Sequence, residues 1–115
     1  MAETIFHKII RGDAPAKVVY EDEYCKVIEN IQPKAPVHVL VLPKKELVRV
    51  GEIEAEDIEL MGKLMWVVKI VAEQLGILEN FKVVMNSGPG VSHVPYLHIH
   101  IIGGWDTIKP EDYDV

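Results

Sequence analysis

Apolar and polar positions along the chain follow two rhythms. Five short runs rich in Val, Ile, Leu or aromatic residues, 17–20, 25–29, 37–42, 81–85 and 96–102, have the composition of strands. Between the third and fourth, Ile58, Met61, Leu64, Met65, Val68, Val71, Ala72 and Leu75 recur every three or four residues, which lays one apolar stripe along a long helix. Glu54, Glu56 and Asp57 stand at its start, where the helix dipole favours negative charge, and Gly76 follows its end as a cap. A shorter helix is predicted over 4–11, with Thr4 as N-cap, Gly12 as the stop and Ile5, Phe6 and Ile9 on one side. Acids at 21–23 mark a turn between the first two strands, Pro33 and Pro36 bracket a loop before the third, and 86–95 is a Gly/Pro/Ser loop before the fifth. Three strands, a helix and a hairpin predict an α+β fold: a five-stranded antiparallel sheet with one long helix and a short N-terminal one.

With 115 residues, 49% of them hydrophobic, the chain has the size of one domain and no room for two. Its first ten residues include Glu3 and His7 and lack the basic start and apolar stretch of a secretory signal. The most apolar windows, 37–42 and 96–102, are too short to span a bilayer, so a soluble, cytoplasmic protein is expected. Cys25 is the only cysteine, which leaves no disulfide framework and no cysteine-rich zinc site. A net charge of −6, with acids spread along the chain, argues against an extended nucleic-acid surface. An anionic ligand would have to be held by local groups. No repeat, low-complexity tract or linker interrupts the sequence.

The residues able to do chemistry gather in the last strand. In Tyr96-Leu97-His98-Ile99-His100-Ile101-Ile102, side chains of an extended segment alternate, so Tyr96, His98 and His100 share one face while Leu97, Ile99 and Ile101 take the other. Attachment points two residues apart along a strand are separated by roughly 6.5–7 Å, which lets two imidazoles address one phosphate and its leaving group. Asn86-Ser87-Gly88-Pro89-Gly90 upstream offers backbone amides to an anion, and Gly103-Gly104 downstream leaves room for close approach. His38, in Pro36-Val37-His38-Val39-Leu40, can meet the pair across the sheet. Two other readings use the same residues: ordinary histidines on a half-exposed sheet face, or metal ligands drawn from His98, His100 and His38 or His93. Cupin-like metal sites add a nearby glutamate, and none follows His100 before Gly103.

The blocks Ile5-Phe6-His7-Lys8-Ile9-Ile10, Ala14-Pro15-Ala16-Lys17, Pro33-Lys34-Ala35-Pro36-Val37-His38, Leu42-Pro43-Lys44-Lys45 and Leu97-His98-Ile99-His100-Ile101-Ile102-Gly103-Gly104 resemble the histidine-triad (HIT) family in order and spacing. The resemblance covers about residues 4–104, leaves 105–115 as a tail, and its Gly-Gly after the last histidine is similar to the Hint branch. It implies a single HIT domain that binds a purine mononucleotide or AMP conjugate and cleaves nucleoside phosphoramidates through a nucleotidyl intermediate. His98 falls at the nucleophile position, His100 at the position that contacts phosphate and assists the leaving group, and His38 at a supporting position. Neutral imidazole is nucleophilic near pH 7, and a second, protonated imidazole can supply a proton to a departing amine. By the same resemblance Ile5, Phe6, Ile9, Ile28, Ile31 and Leu40 line the base pocket, and Asn30 stands where an acidic residue grips the ribose. The resemblance also implies a homodimer with one continuous sheet, and no cofactor.

Four positions depart from the pattern. Tyr96 replaces the first triad histidine, whose main-chain carbonyl orients the nucleophile in this family, and any residue supplies a carbonyl; His93 is a candidate substitute. Asn30 carries no charge. The phosphate loop is one residue shorter than in animal relatives, with Ser92 or His93 in the region of their glutamine and serine, which leaves Asn86 as the leading phosphate contact. Some bacterial relatives carry an N-terminal zinc site built on cysteines; Phe6-His7-Lys8-Ile9 has none, so no structural metal is expected. A nucleotide-binding scaffold with little turnover is the competing function.

Overall fold

The computed structural model describes residues 3–106, so most of the predicted tail lies outside the described residues. Helix α1 spans Ile5–Arg11, and the strands are β1 Val18–Glu21, β2 Cys25–Glu29, β3 Val37–Pro43, β4 Phe81–Val84 and β5 Ile99–Gly103. Two 3-10 turns, Val50–Glu52 and Ala55–Asp57, lead into α2, Ile58–Gln74. All strand pairs are antiparallel, in the order β1-β2-β3-β5-β4. The predicted α+β architecture of one sheet and two helices is present.

Alternation along the central strands sorts side chains into two layers. Cys25, Val27, Val39, Val41, Ile99 and Ile101 face α2, where Leu64, Val67, Val68 and Val71 close the main core. Each such aliphatic side chain contributes about 1.5–3 kcal/mol by leaving water. Ile28, Leu40, Leu42 and Tyr96 face the other way and meet Phe6 and Ile9 of α1. Buried Lys26 donates from Nζ to the Ile9 carbonyl at 2.9 Å, fastening the end of α1 to β2. A left-handed Gly12 (φ 84°) stops the helix, as its sequence predicts.

The last strand starts later than its alternation predicts, at Ile99 instead of residue 96. The reason lies in competing hydrogen bonds: the Tyr96 amide donates to the Val94 carbonyl at 2.8 Å, and the Leu97 amide to the Leu47 carbonyl at 2.6 Å. These bonds withdraw Tyr96 and Leu97 from the ladder while leaving the alternation of faces intact. Beyond β5, Gly104 has φ 96°, and a Cβ there would lie 2.9 Å from Pro36 Cβ and 3.3 Å from the Val37 amide nitrogen. Gly104→Ala adds left-handed strain to that clash and is expected to lower unfolding stability by roughly 1–3 kcal/mol, measurable by urea titration.

Candidate active site

Three histidines are brought together by register. Leu40 pairs with His100 and His38 with Ile102 across β3–β5, so His38 and His100 lie diagonally on the face opposite α2. Ring centroids of His38 and His100 are 5.1 Å apart, and those of His98 and His100 5.0 Å. His98 and His38 are buried, and His100 is half-buried.

Hydrogen-bond partners assign the tautomers. The Tyr96 carbonyl can only accept, so the 2.7 Å contact with His98 Nδ1 requires Nδ1–H and leaves a lone pair on His98 Nε2. The Lys34 amide can only donate, so His38 Nδ1, 3.0 Å away, accepts; in neutral His38 the proton is then on Nε2, which donates to His100 Nδ1 at 2.9 Å. His100 consequently carries its own proton on Nε2. Asn30 Oδ1 accepts from the Gln32 amide at 3.0 Å, and its Nδ2 lies 3.1 Å from His38 Nε2. With the His38 proton directed at His100, that approach sets donor against donor; an acceptor at position 30 would compete with His100 for the proton.

Burial first, then the neighbouring His98 and His38, push the His100 pKa from its ordinary 6.5 down to about 4. Burial and Lys34 lower that of His38 as well. These surroundings keep His100 neutral at pH 7, whereas the leaving-group role expects a protonated ring. An incoming phosphate reverses part of this depression, because nearby negative charge favours imidazolium. The same shift has a stability consequence. Between pH 6.5 and 4 the unfolded chain takes up a proton at position 100 that the fold resists, so stability present above pH 6.5 is lost as pH falls through this window. Urea unfolding of nucleotide-free protein at about pH 7 and 5 should show that loss, and His100→Gln should reduce it.

The histidines open on a cavity of about 610 Å³, a size suited to a small ligand. Ile5, Phe6, Ile9, Ile28, Ile31 and Leu40 form its apolar side, and Asn30, Asn86, Ser92, His93, His98 and His100 also line it. Phe6 packs edge-on to the His98 ring at 5.0 Å. Two of the expected site residues do not reach the cavity wall. His38 sits behind His100 and acts on it through the shared proton. Tyr96 is 2% exposed, and its hydroxyl donates to the Pro43 carbonyl inside the apolar layer, so only its main chain serves the site. His93 stands on the cavity wall, and the bond to His98 Nδ1 belongs to Tyr96.

The glycine-rich segment differs from expectation. Of Asn86-Ser87-Gly88-Pro89-Gly90, only Asn86 lines this cavity. Ser87 Oγ is turned away to accept from the Val50 amide at 3.0 Å, and Gly88 and Pro89 border a separate pocket beside Val48 and Arg49. Negative charge in the cavity therefore meets Asn86, Ser92 and three imidazoles, His93, His98 and His100, with the Glu29 carboxylate also on the lining. Sequence reasoning passed over the Lys34 amide, which fixes the His38 tautomer, and His7, which is buried beside Tyr96. His7 could have been found from its place three residues after the N-cap Thr4, the position that closes a capping box.

The HIT domain family model matches residues 11–107. An uncharacterized HIT-like protein of Synechococcus elongatus is 46% identical over 94% of this chain and 96% of its own length. A 14 kDa zinc-binding protein of Zea mays is 42% identical over 88% of this chain and 81% of its own. Among solved structures, a HIT family hydrolase from Legionella pneumophila superposes with a TM-score of 0.88 at 32% identity, covering 94% of this chain and 98% of that one. A histidine triad nucleotide-binding protein from Candida albicans gives 0.78 at 26% identity, covering 93% and 85%. Zinc does not fit the donors described here. Among the described residues no three His, Cys, Asp or Glu side chains converge on a point that could hold a metal ion. The Nδ1 atoms of His98 and His100 and both nitrogens of His38 are committed to protein partners, and burial pushes the Cys25 thiol up to about 12, far from thiolate. The matched segment, the identities and the shared fold together place this chain in the histidine-triad family.

Proposed function

We propose that this chain hydrolyses nucleoside phosphoramidates and related AMP conjugates through a nucleotidyl intermediate on His98. The observation that carries the reading is the His98 ring itself: its Nδ1–H is anchored on the Tyr96 carbonyl, so its Nε2 lone pair is the free nucleophile at the cavity wall. In the first step Nε2 attacks the α-phosphorus and the phosphorus–nitrogen bond breaks. The departing amine takes the Nε2 proton of His100, protonated once the anion is bound, a state in which His100 Nδ1–H can no longer accept from His38 and the His38 ring must turn aside. In the second step water attacks the same phosphorus, gives its proton to His100, and AMP leaves as the histidine–phosphorus bond breaks. The Tyr96 carbonyl favours the positive charge that the His98 ring carries while it is substituted.

A purine suits the apolar side of the cavity, where Phe6, Ile28 and Leu40 offer burial and contact with little base discrimination. Nucleotide binding by the Candida albicans neighbour and the hydrolase designation of the Legionella neighbour support the same class of ligand and reaction. Rapid-quench mass spectrometry with adenosine phosphoramidate tests the proposal. An adenylyl mass on the peptide containing His98, formed and lost at rates matching turnover, is expected. AMP binding without adduct or turnover would identify a nucleotide-binding scaffold instead.

A homodimer belongs to this reading. Strand β4 is an edge of the sheet, and exposed Val83 and Met85 lie on or beside it while Met65 and Trp66 stand exposed on α2. An open edge with apolar neighbours suits a second copy, which would extend the sheet and cover the helix. Light scattering is expected to give twice the chain mass, and Trp66→Asp to shift it toward the monomer. A monomer at working concentration contradicts this assembly.

A further inference from the structure

We infer that His7, which does not line the cavity, is a positioning residue that sets the orientation of the nucleophile. The inference rests on His98 being the reacting group. His7 is the third residue of α1 and is 9% exposed. Its Nδ1 receives the Thr4 amide at 2.9 Å and the Thr4 hydroxyl at 2.8 Å, while that hydroxyl accepts the His7 amide at 3.2 Å. Two donors on one nitrogen leave it no room for a proton, so neutral His7 carries its hydrogen on Nε2, which faces the Glu46 carboxylate at 3.8 Å.

The other side of this imidazole touches the catalytic segment. His7 packs edge-on to Tyr96, with ring centroids 4.9 Å apart and an interplanar angle of 88°. Neighbouring Phe6 meets the same tyrosine at 6.1 Å and His98 at 5.0 Å. Tyr96 is further pinned by its hydroxyl on the Pro43 carbonyl, and its own carbonyl holds His98 Nδ1–H. One short helix therefore supplies a wall of the cavity through Ile5, Phe6 and Ile9 and, through His7, steadies the residue that aims the nucleophile. A capping box normally uses Glu or Gln at this position. Histidine adds the ring contact.

The test compares His7→Gln and His7→Ala with the wild type, reading kcat with adenosine phosphoramidate, AMP affinity by calorimetry, and the proton resonance of His98 Nδ1–H. The glutamine amide oxygen accepts from Thr4 and restores the cap, so His7→Gln should stay within about twofold of the wild type in AMP affinity. His7→Ala should lower kcat roughly tenfold at neutral pH with a smaller change in KM, and the Nδ1–H signal should broaden. A folded His7→Ala protein with unchanged kcat and Nδ1–H signal overturns the inference. If no variant or wild type turns over substrate, the activity proposal fails by itself; the calorimetric and NMR comparison still decides the role of His7.

Discussion

His98→Ala is expected to eliminate the adenylyl adduct and to reduce phosphoramidate hydrolysis by roughly 10³–10⁶-fold, with AMP affinity changed only a few-fold. Among the histidines around the cavity, this ring has its Nδ1 fixed as a donor to a carbonyl and its other nitrogen unclaimed by the protein. Neither neighbour can substitute. His38 is behind His100 and has both nitrogens engaged, and His100 Nδ1 is occupied by the His38 proton. Removal of the ring leaves water as the sole attacking group, without a two-step route. Binding survives because the apolar side of the cavity is built by α1, β2 and β3. Full turnover in the alanine protein, with purity checked by mass, would show that nucleotidyl transfer does not pass through His98.

His100→Ala should slow the first step by about 10²–10⁴-fold, and the loss should depend on the leaving group. A strongly basic alkylamine cannot depart without a proton, so its phosphoramidate should suffer most. An aromatic amine or another good leaving group needs less help, and its phosphoramidate or ester should fall least. Single-turnover kinetics across such a series would give a steeper dependence on leaving-group basicity in His100→Ala than in the wild type. An equal loss for all leaving groups would assign His100 to phosphate binding alone. His38→Ala would give a weaker form of the same signature, since His38 acts by holding His100 in the tautomer with its proton on the outer nitrogen.

Much of this organisation was legible from spacing. The alternation of imidazole and isoleucine across residues 98–101 already assigned two histidines to one face and two core residues to the other, and Ile99 and Ile101 are indeed packed under α2. The three- and four-residue steps from Ile58 described α2, and Leu64, Val68, Val71 and Ala72 are buried as that stripe predicts, but Ile58 and Met65 are exposed and Val67, outside the predicted stripe, is buried. What spacing could not convey was competition for hydrogen bonds. The Leu47 carbonyl captures the Leu97 amide and delays the strand, and the Val50 amide captures Ser87, drawing the glycine-rich segment away from the cavity. Both partners are distant in sequence, and neither bond has a local signature. The burial of Tyr96 was hidden for a similar reason: its hydroxyl partner is a carbonyl on β3, more than fifty positions away.

The two layers beneath and above the sheet also divide the molecule mechanically. His38, His98 and His100 grow from β3, the entry to β5 and β5 itself, strands held by neighbours on both sides and closed underneath by the longest helix described, so they cannot shift without disrupting the most cohesive part of the fold. The opposite wall is a seven-residue helix and a turn-rich loop, tied down by a few side-chain bonds. Under the proposed function, entry and exit of nucleotide would be accommodated by that lighter wall, against histidines anchored in the firmer half of the fold.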